Sequence, residues 1–161
     1  MPLLFLSEGE MMLDQITYNR QEKRYEFVEP NTGELFTEPS GKTNKMKLFQ
    51  KVVGMLEPDL YLAATELTVK HLHLTRTVWA AVQIVVSGGV TIMSQGHLLA
   101  LVQGSDGLPY SITSYDDYTF CECESFKGLH APLIESGQRI CKHIAAMSLT
   151  AKCRPTDTTP Y

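Results

Sequence analysis

The sequence lacks the features of an exported, membrane-spanning or strongly basic chain. Its longest apolar stretch, residues 78–90, is interrupted by Gln83 and Ser87 and is too short to cross a bilayer. The opening MPLLFLSEGEMM has no basic residues before its brief apolar run, so no export signal is predicted. Lysine and arginine number 14 against 18 acids, a formal net charge of −4, which excludes phosphate binding over the whole surface. We therefore expect a soluble intracellular protein, cytoplasmic or, in a eukaryote, nuclear, with no membrane partner.

Cysteine is also scarce, with four residues among 161. Because reducing compartments keep thiols free, four cysteines in an intracellular chain weigh against a disulfide framework. The string PSGKT lacks the upstream glycine of a phosphate-binding loop, and no apolar strand precedes it. No paired carboxylates, open metal position or glycine-rich cofactor loop accompany the cysteines. We therefore expect no enzymatic activity and no small-molecule substrate.

The N-terminal part of the chain predicts a hairpin followed by a helix. Residues 14–36 alternate apolar and polar side chains around the turn-forming PNTG, which is typical of a hairpin or meander. The segment KMKLFQKVVGML then has apolar residues at helical spacing. Pro58 is expected to end that helix. The residues predicted to share its buried face are Leu48, Val52, Met55 and Leu56.

Residues 59–89 predict two more helices. In the first, apolar residues recur at helical intervals from Leu60 to Leu67. Thr75 resembles an N-cap for RTVWAAVQIVVSGG, and the paired glycines supply a C-terminal stop. Because residues 82–86 are rich in β-branched side chains, a strand is an alternative prediction for this segment. Helix is preferred there because the pattern runs continuously from the cap.

After Gly89 the pattern changes to short strands separated by turn residues, VTIM, LLALVQ, YSITSY and YTFCEC. This predicts an antiparallel meander, and ICKHIAAMSLTA predicts a closing helix. The fold class expected is therefore α+β: an N-terminal hairpin and helices, then an antiparallel strand meander with a closing helix. We predict three regions, with a hairpin and helix over 1–58, a helical segment over 59–89, and the meander with its closing helix over 90–161.

Three cysteines and one histidine form two pairs of equal spacing. Cys121 and Cys123 lie two apart at a strand end, so both sulfurs project to the same side. Cys141 and His143 repeat that spacing at the entrance to a helix. Thiolates and imidazole are preferred ligands of tetrahedral zinc, and four protein ligands fill its coordination shell. These residues therefore predict a structural Zn²⁺ site.

Other interpretations of these residues stay open. Two of the cysteines could form a disulfide. Cys141 and His143 could form a nucleophilic pair, although nothing supplies an orienting acid or oxyanion donors. His130 is an alternative fourth ligand. Three thiolates and a neutral imidazole around Zn²⁺ leave a net charge of minus one, and Lys142 and Lys127 are candidates to offset it.

The order Cys-x-Cys, seventeen intervening residues, Cys-x-His resembles the SWIM zinc finger. Phe126 lies where that family carries an aromatic residue, CKHIAA is similar to the start of its closing helix, and YSITSYDDYTFCEC is similar to its two incoming strands. The resemblance covers residues 98–150 and implies that the third region, 90–161, contains a ββα zinc-binding module. It departs from the family in its longer interligand loop and in acidic Glu122 and Glu124.

Two functions follow. The resemblance implies a zinc-binding, non-catalytic module that acts on DNA or within a DNA-processing assembly. The alternative is a protein–protein interaction adaptor with a purely structural zinc and no nucleic-acid contact, which the acidic net charge favours. In that case the lysines of the basic run lie on the solvated faces of amphipathic helices and bind no phosphate. The candidate phosphate contacts are the densest basic run and the lysine between two ligands: Lys42, Lys45, Lys47, Lys51 and Lys142.

Overall fold

The structure is a computed structural model that describes residues 13–153. It contains two antiparallel sheets with helices between and beside them, which confirms the α+β class. The prediction about an export signal falls on residues 1–12 and lies outside the described residues. Within the described range, no helix combines the length and apolarity that a bilayer span requires.

The N-terminal sheet has three strands in the order β1 (Thr17–Asn19), β2 (Arg24–Val28) and β3 (Leu35–Pro39). The hairpin-or-meander prediction therefore resolves as a meander. Phe27 of β2 lies opposite Phe36 of β3, and both rings are buried. This pair forms the sheet's contribution to the core, because cross-strand neighbours share one face.

The first two helices, α1 (Asn44–Leu56) and α2 (Pro58–Lys70), follow without a loop between them. Pro58 takes the first position of α2, where its missing N–H costs nothing, and α1 ends just before it as predicted. The predicted face of α1 is wrong in its last turn, since Met55 is 60% exposed and Leu56 is exposed as well. The helix instead turns a continuous face onto the core, formed by Leu48, Phe49, Val52 and Val53.

The third helix, α3 (Thr75–Val86), follows a short 3₁₀ turn at Leu72–Leu74. It is helical through residues 82–86, so the helix preferred there is confirmed. Thr75 is not its N-cap: the hydroxyl donates to the carbonyl oxygen of Leu72 at 2.7 Å, and Leu74 occupies the cap position. After the helix, Gly88 adopts a left-handed φ of 74°, the conformation expected of a glycine stop.

The second sheet is the predicted meander, with strands in the order β4 (Val90–Gln95), β5 (Leu98–Gln103), β6 (Pro109–Tyr115) and β7 (Tyr118–Cys121). Ala100, Ile112 and Cys121 lie opposite one another on three neighbouring strands, and all three are buried. They define the inner face of this sheet. A one-turn helix, α4 (Glu124–Lys127), and a closing helix, α5 (Lys142–Cys153), complete the order.

A single hydrophobic cluster connects the two sheets. It runs from Ile16 before β1 to Leu149 of α5. Helix α5 contacts α2 and α3 on one side and the inner face of the second sheet on the other. The division into three regions stays a prediction. What the packing establishes is that α5 joins the helices to the sheet that carries the first cysteine pair.

Candidate metal centre

Four side chains from three places in the chain meet at one end of the second sheet. Cys121 is the last residue of β7, Cys123 immediately precedes α4, Cys141 immediately precedes α5, and His143 lies in the first turn of α5. Their ligand atoms all lie within 4.8 Å of one another, and all four residues are buried. Each cysteine is a free thiol, so no disulfide joins them.

The first pair is positioned by the pleat of β7 and the turn that follows it. Cys121 lies opposite Ile112 of β6 and faces the core for that reason. Cys123 has an extended backbone, with φ −69° and ψ 155°, and its carbonyl oxygen accepts from the N–H of Lys127 at 2.9 Å in the first turn of α4. Because the backbone stays extended from Cys121 to Cys123 and α4 begins only at Glu124, both sulfurs project to the same side.

The second pair is brought back by the long loop over residues 128–140. The side chain of Gln138 binds the backbone of Thr119 in β7 twice: its Oε1 accepts from the N–H at 2.9 Å, and its Nε2 donates to the carbonyl oxygen at 2.7 Å. Arg139 donates from one guanidinium nitrogen to the carbonyl oxygens of Leu129 and Ala131, at 2.9 and 2.8 Å. Sequence inspection missed both residues. They fix the loop beside β7 and so place Cys141 next to Cys121.

His143 has an unusual environment for a core histidine. Both ring nitrogens are buried, and neither has a hydrogen-bond partner among the described residues. Its nearest aromatic neighbour is Tyr110, whose ring centroid lies 4.9 Å away. A buried polar atom without a partner is costly, and coordination of a cation would satisfy one of these nitrogens. This observation fits a metal ligand better than a packing residue.

The pKa values of the three cluster thiols are shifted in different directions. The pKa of Cys141 is lowered to about 4, chiefly because Cys121 donates a hydrogen bond to its sulfur, and the nearby imidazole of His143 acts in the same direction. The same hydrogen bond, together with burial, raises the pKa of Cys121, and burial raises the pKa of Cys123. The N–H of Ile144 also donates to the Cys141 sulfur at 3.4 Å. Metal ligation would displace the remaining protons, because the thiolate is the binding form.

A cavity of about 530 Å³ adjoins the cluster, and Cys123, Cys141 and His143 form part of its wall. Lys142 also lines it and donates from Nζ to the hydroxyl of Ser105 at 2.9 Å. Of the two lysines named as candidates to offset the charge, Lys142 therefore borders the same cavity as three of the four ligands. Lys127 and His130 are exposed, and His130 does not belong to the cluster.

The remaining predicted contacts lie on another part of the molecule. Lys42 precedes α1, and the other three lysines of the run lie on that helix. All four are exposed. Within residues 13–153, Lys51 is the one of the four that forms an ion pair, with its Nζ 3.9 Å from a carboxylate oxygen of Glu38. A role for these lysines in binding phosphates stays a prediction.

Comparison of the chain with protein-family models, curated proteins and solved structures gave no match. The likeness to SWIM fingers therefore depends on the ligand order and its neighbouring residues. The geometry supports a coarser statement. The Cys₃His cluster could hold a metal ion.

Proposed function

We propose that the chain is a non-catalytic binding module whose C-terminal half is closed by a structural zinc ion. The observation that carries this proposal is the meeting of four buried ligand atoms within 4.8 Å, one of them on an imidazole that forms no hydrogen bond with any described residue. Three soft sulfur ligands with one imidazole favour zinc over the oxygen-preferring cations. Four protein ligands leave no position for a reacting water, which is why we propose a structural role.

The protein's part in this site is to bring two chain segments together. Cys121 and Cys123 are held by the second sheet, whereas Cys141 and His143 are held by the start of α5. A bound Zn²⁺ would supply a cross-link between these segments and would neutralise two of the three thiolate charges. Lys142 lines the same cavity and offsets the charge that is left. The link stabilises the folded chain because the unfolded chain has no preformed site.

Metal analysis of the purified protein tests the zinc proposal. We expect one zinc per chain, which a strong chelator removes. Cys121→Ser should lose the metal. Cys153→Ser is the matched control, because Cys153 lies at the end of α5 and outside the cluster, so this variant should keep full occupancy. Full zinc in Cys121→Ser, or no zinc in the natural chain, would contradict the proposal.

For the partner, we propose DNA or a DNA-processing assembly. Support comes from the likeness to SWIM fingers and from the exposed lysines on and before α1. In a gel shift, neutralising Lys45 and Lys47 to glutamine should weaken binding and flatten its salt dependence by about one unit of log–log slope for each phosphate that is no longer neutralised. Lys152→Gln is the control, because that lysine already pairs with Glu66 at 2.7 Å. No binding at low salt would refute DNA contact.

A second candidate is a protein–protein interaction adaptor with the same structural zinc. One observation favours it. From Thr77 to Phe126 the sequence contains five acids and neither lysine nor arginine. This stretch includes the entire second sheet, so the sheet would repel phosphates and attract cationic groups.

A further inference from the structure

The outer face of the second sheet carries a row of aromatic side chains. Because successive residues of a strand point to opposite faces, the inward orientation of Cys121 turns Tyr118 and Phe120 outward. Tyr115 of β6 lies opposite Tyr118 and shares that face. Tyr115 and Phe120 are 50% and 42% exposed, which is unusual for large aromatic side chains on one sheet.

The rings contact one another in sequence and hold one another in place. The ring of His97 stacks on Tyr115 with centroids 4.4 Å apart, and its Nδ1 is within 2.8 Å of the carbonyl oxygen of Ser114. Tyr115 contacts Phe120 at 5.9 Å, and Phe120 contacts Tyr118 at 4.7 Å. We call His97, Tyr115, Tyr118 and Phe120 the aromatic row.

Phe126 of α4 packs against two rings of the aromatic row. This buried ring lies 6.1 Å from Phe120 and 6.2 Å from Tyr118. Rings ordered in this way lose little conformational freedom when a ligand binds, which favours binding. The row is therefore a preformed surface, and α4, which starts directly after Cys123, ties it to the metal centre.

Every charged side chain of the second sheet and its turns is acidic, and the first lysine after it is Lys127 of α4. Asp116 and Asp117 form the exposed turn between β6 and β7, next to Tyr115. Glu122 follows Phe120 by two residues, and its carboxylate accepts from the N–H of Ser111 on β6 at 3.2 Å. No lysine or arginine occurs between residues 77 and 126. Aromatic faces beside carboxylates attract cations, whereas a nucleic-acid backbone would be repelled.

We propose that the aromatic row is the docking surface for an extended, arginine-bearing segment of a partner protein. A guanidinium group can stack on an aromatic face and bind a carboxylate at the same time, which a lysine ammonium does less well. The turn carboxylates and Glu122 flank the row and would receive such groups. This inference rests on the binding-module function, in its protein-interaction form, and it uses a surface separate from the lysines of α1.

The test uses the full chain with its zinc content measured first. The probe is a fluorescent peptide of alternating arginine and glycine, and the matched probe replaces every arginine by neutral citrulline. We expect the arginine peptide to bind at least about tenfold more tightly, because citrulline has no positive charge for the aromatic faces and carboxylates to attract. The ring resonances of Tyr115 and Phe120 should shift on binding in NMR spectra.

Single substitutions locate the surface. Tyr115→Ala and Phe120→Ala should each weaken binding about two- to fivefold. Asp116→Asn should also weaken it, and asparagine tolerates the left-handed φ of 54° found at that position. Tyr18→Ala is the matched control, since Tyr18 is 46% exposed and lies opposite Tyr25 on the N-terminal sheet, outside the second sheet. This variant should bind as the natural chain does.

Four results would overturn the inference. Two concern affinity and specificity: the citrulline peptide binds as tightly as the arginine peptide, or Tyr18→Ala loses as much affinity as the row variants. The other two are that zinc-loaded protein does not bind the arginine peptide, or that an oligonucleotide shifts the ring resonances of the row and the peptide does not. These results leave the zinc proposal standing. Absence of zinc from the natural chain would instead contradict the proposed function, whatever the peptide does. The two failures are therefore distinguishable.

Discussion

At the residue scale, substitution of His143 can show whether this residue is a metal ligand or an ordinary core residue. A buried imidazole with two unpartnered nitrogens destabilises a fold unless something binds it. Substitution by an apolar residue of similar size would relieve that cost if packing were its only role. The same substitution would remove one metal ligand if the cluster holds zinc.

We therefore predict opposite effects of His143→Leu with and without metal. In chelator, the variant should be at least as stable as the natural chain, because it no longer buries unsatisfied nitrogens. With zinc present, the natural chain should gain about 3 kcal/mol at a hundredfold excess of metal over its dissociation constant, and the variant should gain much less. Thermal unfolding under both conditions measures this. Equal stabilisation of both proteins by zinc would exclude His143 as a ligand.

The hydrogen bonds of Glu29 predict that the stability of the fold depends on pH through a group outside the metal cluster. Its carboxylate accepts hydrogen bonds in the turn after β2, from Thr32 and from the N–H of Asn31 at 3.0 Å. The bond with Thr32 is the main cause that lowers the pKa of this carboxyl below its ordinary 4.5, and it outweighs the opposing effect of burial. A lowered native pKa stabilises the fold above the unfolded value, and the contribution is lost as pH falls through the folded pKa.

The difference in unfolding free energy between the natural chain and Glu29→Gln should accordingly be largest near neutral pH and shrink below about pH 4.5. Urea unfolding over a series of pH values measures it. The metal cluster is identical in both proteins, so loss of metal in acid affects both equally. A difference that stays constant from neutral to acid pH would show that the ionised form of Glu29 has no special role.

At the element scale, the free edge of β7 is covered by one side chain. Gln138 pairs with both backbone groups of Thr119, as a neighbouring strand would. Covering an edge in this way protects it from pairing with another chain. It also anchors the loop that returns Cys141 to the cluster.

We predict that Gln138→Ala destabilises the chain by about 1–2 kcal/mol, because the N–H of Thr119 loses its partner. The variant should also hold zinc more weakly, since the loop is less ordered. Hydrogen exchange at the Thr119 amide should become faster. Gln95→Ala is the control, because Gln95 is exposed at the end of β4, and it should change neither property. Unchanged exchange at Thr119 would contradict the role of Gln138.

These elements also show what the sequence reveals and what it hides. The strands of the meander and α3 were predictable because apolar periodicity and turn residues are local signals. The ligand pairs were predictable because the two-residue spacing repeats. Gln138 was not, because its partner lies 19 residues away. The exposed Met55 depends on how α1 packs against its neighbours, which local periodicity does not specify.

The aromatic row depends on the same kind of non-local information. In the sequence, Tyr115, Tyr118 and Phe120 look like ordinary strand aromatics, and His97 belongs to the turn before β5. Phe120 directly precedes Cys121, which faces the cluster from the same strand. Only the pairing of Tyr115 with Tyr118 shows that the exposed rings share one face. Only the charge of the surrounding sheet indicates which kind of partner that face would bind.

At the scale of the whole molecule, α5 transmits any change at the cluster. It begins at the second ligand pair, packs on α2 and α3, and belongs to the same buried cluster as the N-terminal sheet. Trp79 of α3 is the single tryptophan of the chain, and its ring centroid lies 5.9 Å from that of Tyr61 on α2. Its fluorescence therefore reports on the packing of α2 and α3, which lie far from the four ligands in sequence.

We predict that removal of the metal lowers the unfolding temperature of the whole described chain in one transition, by roughly 5–10 °C for a stabilisation of about 3 kcal/mol. Tryptophan fluorescence and far-ultraviolet circular dichroism should give the same midpoint, because the continuous core couples the helices to the sheet. Cys153→Ser, with and without chelator, should behave as the natural chain does. If circular dichroism changed on chelation while the fluorescence midpoint stayed constant, the second sheet and the cluster would unfold independently of the helices, and the prediction of one transition would be wrong.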